Sequence, residues 1–149
     1  MRKYCGWIAL VGLLLASLPA LAQRPARYNI FGGALLGSPS GFAAGGELIF
    51  PINRHVSFVP SAALGRSGHT GLFTLDGTFR YAFHLDDEAF IPYLLGGVGL
   101  SQWGSATHGS GIIGAGVRFP IGHEMWIVPE VRAADHGLAR FTIGFSKSF

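Results

Sequence analysis

One cysteine is all the thiol chemistry this 149-residue chain possesses, and Cys5 stands before the first apolar run, not at its end. A disulfide framework within the chain is thereby excluded, and the cysteine is not placed for lipidation. Charge is scarce as well: Asp, Glu, Lys and Arg supply 13% of the residues, about half the share usual in a soluble domain. Long apolar runs are missing with one exception, residues 7–18. Beyond Gln23 a Gly, Pro or charged residue interrupts every few positions, so no segment supplies the roughly 20 apolar residues that a transmembrane helix requires. What is plentiful is glycine, with 23 residues, and phenylalanine, with 12. Few charges and many aromatics imply an outer surface that does not face water.

The exceptional run belongs to a recognisable pattern. Arg2 and Lys3 open it, Pro19 stops it, and Ala20-Leu21-Ala22 offers a small-x-small cleavage site before Gln23. This predicts a secretory signal peptide over residues 1–22, removed from a mature chain of residues 23–149. Cys5 leaves with it. The formal net charge of +3 falls to +1 once Arg2 and Lys3 are gone, which removes the main support for a nucleic-acid partner. The remainder is long enough for one domain.

Along that domain the apolar period is 2, not 3.6. Breaker clusters divide it into eight expected strands, at about residues 27–36, 42–50, 55–65, 72–83, 89–100, 111–119, 125–134 and 139–149. The fourth is the clearest: Phe73, Leu75, Phe79, Tyr81 and Phe83 oppose Thr74, Asp76, Thr78, Arg80 and Ala82. Between the fifth and sixth strands, residues 101–110 read as a loop, as do residues 66–71 between the third and fourth. Glycines weaken ordinary strands, but in a small barrel they relieve crowding inside and permit a tight bend of the wall. A soluble eight-stranded cup or sandwich is the alternative. Its charges would face outward, whereas here they share faces with Gly, Ser, Thr and Ala, as suits a narrow polar interior.

The closing strand alternates Phe141, Ile143 and Phe145 against Arg140, Thr142 and Gly144, and ends on Phe149. Chain ends fray unless tied down, so such an end suits a sheet that closes on itself. Aromatic residues gather at the strand ends nearest the termini, namely Tyr28, Phe50, Phe58, Tyr81, Phe83, Phe90, Phe119, Trp126 and Phe149. A thinner set, Phe42, Phe73, Trp103 and Phe141, marks the other end. Two aromatic belts are what a membrane-spanning wall needs. Parity leaves the faces of Tyr93 and Trp126 open.

Parity also places Glu47, Asp76, Arg80, Arg118, Glu130, Arg132 and Arg140 inside. Three acids facing four arginines should pair as a structural plug, since an unpaired buried charge is very costly. Eight strands leave an interior just wide enough to be filled by side chains. A general pore is therefore not expected, and a narrow gated channel is the weaker alternative. The six histidines are spread almost one per turn: His69, His108 and His136 at one end, His55, His84 and His123 at the other. Without close spacing or cysteine they read as interfacial polar residues, and neither metal nor other cofactor is expected.

The strand pattern, the run Pro92-Tyr93 to Gly96-Gly97-Val98-Gly99 and the terminal Phe149 together resemble the small outer-membrane β-barrels of the OmpA-like and OmpX-like kind. The resemblance covers about residues 27–149 and implies an all-β, eight-stranded, up-and-down transmembrane barrel in a Gram-negative outer membrane. It further implies periplasmic termini, contact with lipid and lipopolysaccharide, a monomer, and recognition of Phe141, Ile143, Phe145 and Phe149 by the barrel-assembly machinery. No peptidoglycan-binding domain follows the barrel pattern and no long loops protrude, so cell-wall anchoring and adhesion do not carry over. The role implied is structural or surface-interacting, and not enzymatic. One hydrolase motif merits comparison: His108-Gly109-Ser110 distantly resembles the His-x-Ser of lipid A deacylases, with Gly111 where that family has Asn. Its nearest following acid, Glu124, falls about 25 Å away at the opposite end, leaving Asp135 or Asp76 to complete a triad.

Overall fold

The computed structural model describes residues 25–37, 40–84, 89–135 and 137–148. The expected signal peptide, His136 and Phe149 lie outside the described residues. Eight strands follow in order: β1 (Arg27–Leu36), β2 (Gly41–Pro51), β3 (Val56–Ser67), β4 (Thr70–Ala82), β5 (Ile91–Trp103), β6 (Ala106–Gly122), β7 (Met125–Ala134) and β8 (Ala139–Ser148). Each pairs antiparallel with its sequence neighbour, and β1 also pairs with β8, from Arg27 opposite Ser148 to Leu36 opposite Ala139. The sheet is a closed barrel, so no strand edge is left to recruit another chain.

Alternation decides what each face meets. In β4, Leu72, Thr74, Asp76, Thr78, Arg80 and Ala82 are buried in the lumen. Phe73, Leu75, Phe79 and Tyr81 of the same strand are exposed. Around the wall the pattern repeats, with Ile30 64%, Leu64 68%, Val98 70% and Ile113 70% exposed. An apolar girdle of this extent is untenable in water but is solvated by lipid tails. Strands of 10 to 17 residues exceed the roughly 9–11 needed to cross a bilayer at a tilt.

Two expected loops are absent. Residues 101–110 divide between β5 and β6, which meet through Gly104-Ser105 with Trp103 opposite Ala106. Residues 66–71 likewise divide between β3 and β4 around Gly68-His69. Gly104 and Gly68 take φ of 57° and 60°, so a two-residue turn suffices where breaker-rich composition suggested a longer loop. The β3–β6 side of the barrel therefore stands taller at the end opposite the termini.

Bending eight strands into so tight a wall requires glycine where adjacent backbones crowd. A Cβ on Gly97 would lie 2.2 Å from the Gly77 carbonyl oxygen, so no other residue fits without moving the neighbouring strand. The aromatic belt near the termini carries exposed Tyr81, Phe83, Phe90 and Phe119, with Tyr81 and Phe83 at 5.0 Å and Phe90 and Phe119 at 6.2 Å between ring centroids. Two tryptophans depart from the expected belts, Trp126 from the one near the termini and Trp103 from the thinner one at the other end. Trp126 packs against the inner cluster of Tyr93, Leu95, Ile112 and Val128, and Trp103 against Leu35, Ala43 and Leu72. Both sit on inward parity and plug the lumen ends instead of meeting lipid.

Candidate functional site

The lumen contains all seven charged residues that parity placed inward, each between 2% and 8% exposed. β2 contributes Glu47, β4 Asp76 and Arg80, β6 Arg118, β7 Glu130 and Arg132, and β8 Arg140. Six of the seven form one network across the barrel. Arg80 Nη2 donates to Glu47 Oε1 at 2.8 Å and to Glu130 Oε2 at 2.9 Å. Arg132 donates to Glu47 through Nη2 and to Glu130 through Nε. Its Nη1 reaches Ser61 Oγ at 3.0 Å and Asp76 Oδ2 at 3.5 Å, and Arg140 Nη2 reaches the same Asp76 oxygen at 3.4 Å. Each acid thus touches at least one guanidinium, which is the condition for keeping such charges buried. Arg118 stands apart, with no ion pair among the described residues.

Neutral side chains complete the network, and parity does not announce all of them. Asn29 Nδ2 donates to Glu47 Oε1 at 3.0 Å, and Tyr93 Oη donates to Glu130 Oε2 at 2.7 Å. The Arg80 guanidinium lies over the Tyr93 ring, 4.2 Å from its centroid, a cation–π contact in a desolvated place. Asn29 and Ser61 lie directly across from Glu47 and Asp76 on the neighbouring strands, a juxtaposition set by register that parity along one strand does not give. Tyr93 was not legible either, because residues 91–100 around it are apolar or glycine on both faces. Room for its ring comes from β6: a Cβ on Gly116 would sit 2.3 Å from Tyr93 Oη.

Elsewhere the candidates are more dispersed. His108 and Ser110 lie on β6, two residues apart on one face, with His108 exposed. Ser101 Oγ donates to the His108 carbonyl at 3.5 Å. Of the acids considered as partners, Asp76 is held by Arg132 and Arg140, and Asp135 Oδ2 accepts from the Gly111 amide at 3.0 Å. No triad is assembled from these residues among those described. At the terminal end, His55 and His84 meet edge to face at 5.3 Å, and the His55 Nδ1 lies 3.2 Å from the Ala82 carbonyl oxygen. Among the described residues no group of three or more His, Cys, Asp or Glu is placed to hold a metal ion.

No family model and no curated protein matches the sequence. Solved structures do match its fold. The N-terminal β-barrel domain of Pseudomonas aeruginosa OprF superposes with a TM-score of 0.66 at 16% identity, covering 85% of this chain and 98% of that one. Neisserial surface protein A gives 0.64 at 12% identity, covering 83% and 96%. The fold is that of the small eight-stranded outer-membrane β-barrels. Within these barrels the fold serves more than one purpose, for the outer-membrane enzyme PagL also matches, with a TM-score of 0.55 at 14% identity over 83% of this chain and 99% of that one. Barrel architecture by itself therefore selects no activity.

Proposed function

We propose that the chain is an integral outer-membrane barrel with a structural or surface-interacting role, its termini periplasmic and its lumen closed by charged side chains. The observation that carries this reading is the Glu47–Arg80–Glu130–Arg132 network. It joins β2, β4 and β7 through the middle of the lumen, where a water-filled pore would need free space. Lipid and lipopolysaccharide are the proposed partners, met by the apolar wall and, at the taller rim, by the exposed Arg66. The Phe141, Ile143 and Phe145 face of β8, with Phe149 beyond it, is the proposed signal to the assembly machinery. The reading is tested by reconstituting the barrel in planar bilayers. A closed lumen gives no steady conductance, and a persistent ohmic current from the purified barrel would overturn it.

A further inference from the structure

The terminal end of the lumen opens into a recess of about 150 Å³. Five basic side chains line it: Arg27 of β1, Arg54 and His55 of the β2–β3 turn, His84 beyond β4, and Arg118 of β6. Asn53 and Ser57 add polar groups, and no carboxylate lines the recess among the described residues.

Arg118 shows that this is more than a basic rim. Of the four buried arginines among the described residues it is the one outside the central network, since the three buried acids are shared among Arg80, Arg132 and Arg140. It is only 7% exposed, and its Nε has no hydrogen-bond partner. Its guanidinium carbon lies 5.8 Å from the centroid of the Trp126 ring. Arg27 lies 6.0 Å from the same ring, so two cations converge on one indole. A cation–π contact offsets only part of the cost of burying a guanidinium, and like charges brought together add to that cost. An anion in the recess would relieve both. The guanidiniums match oxyanion geometry, and the imidazoles and the Asn53 amide supply further donors.

We propose that this recess is an oxyanion site of the phosphate class, with Arg118 as its floor and Arg27, Arg54, His55 and His84 as its walls. The site does not depend on the plugged-lumen reading. Its occupant is either a free inorganic anion or the phosphate of a lipid headgroup at the adjacent interface, the recognising chemistry being the same. One internal competitor exists in the sequence: Asp86, Asp87 and Glu88 follow His84 closely and lie outside the described residues.

The test uses the refolded barrel in a phosphate-free detergent, titrated calorimetrically with inorganic sulfate and inorganic phosphate. Saturable binding of one anion per barrel is expected. Arg118→Met and Arg54→Gln should each weaken it about tenfold or more, as expected for loss of a charge-assisted hydrogen bond. His69→Gln, in the exposed β3–β4 turn at the opposite end, should leave it unchanged. Arg54 is exposed, so its variant keeps the test decisive if Arg118→Met fails to fold. Native mass spectrometry after reconstitution in phosphatidylglycerol separates the two sources. A single retained lipid that Arg54→Gln releases identifies the headgroup, and sulfate binding without retained lipid identifies the free anion. The proposal fails if neither anion nor lipid binds saturably, or if binding ignores both arginine variants. It also fails if binding appears only after Asp86→Asn, Asp87→Asn and Glu88→Gln are combined, because the chain would then be supplying its own counterion.

Discussion

Arg132 holds more of the lumen together than any other side chain, reaching Glu47, Asp76, Glu130 and Ser61 from one guanidinium. Replacing it with methionine keeps much of the volume but strips three buried carboxylates of a partner. The expected loss is about 3–5 kcal/mol of unfolding free energy, measured by urea titration in lipid vesicles. Arg66→Gln, on the exposed rim, should stay within about 0.5 kcal/mol of the parent in the same assay. A second residue-scale effect concerns pH. Burial, then His55, Arg118 and Arg54, hold the His84 pKa below its ordinary value of 6.5. The unfolded chain therefore takes up this proton more readily than the folded barrel. Stability is complete above about pH 6.5 and declines as the pH falls from there through the lower folded value. His84→Gln should flatten that decline, and a slope equal to the parent's would assign it to other groups. That Arg118 and His84 belong to one recess was not legible in sequence. They are 34 residues apart, one beyond the end of β4 and the other on β6, and parity states a face but not a depth.

For a whole strand, the decisive variable is which solvent each face meets. In β8, Phe141, Ile143 and Phe145 are 40%, 44% and 52% exposed, while Arg140, Thr142 and Ser146 are buried. Ile143 pairs with Gly32 on one side and Pro129 on the other, midway along the strand. If that face lies in hydrocarbon, Ile143→Arg should cost about 2–4 kcal/mol in vesicles, with Ile143→Leu near neutral. A barrel that tolerates arginine at this position does not bury β8 in lipid. Alternation was enough to identify the strands and most of their faces, because period 2 survives in every charged strand. It failed at Tyr93, where both faces are apolar, and at the turns around Gly68 and Gly104. Runs of Ser, Gly and His suggest loops by composition, yet pairing extends through them. Cross-strand hydrogen bonds there outweigh weak local propensity, as is common in sheets.

For the molecule as a whole, closure is what converts eight amphipathic strands into a stable object. The β1–β8 seam satisfies the last open edge, so the folded barrel should resist detergent at room temperature and open on heating. A shift in gel mobility between unheated and boiled samples, with recovery in the outer-membrane fraction, is the expected result. Recovery as a soluble periplasmic protein would contradict the membrane reading. By itself the sequence determined the strand number, the alternation of lipid and lumen faces, and the identity of the inward charges, because those follow from period and composition along one strand at a time. The tertiary structure alone decided which charges meet. Register and strand stagger set the height of each residue in the lumen, and height determines that Glu47, Arg80, Glu130 and Arg132 share one network while Arg118 lies apart beneath a basic recess.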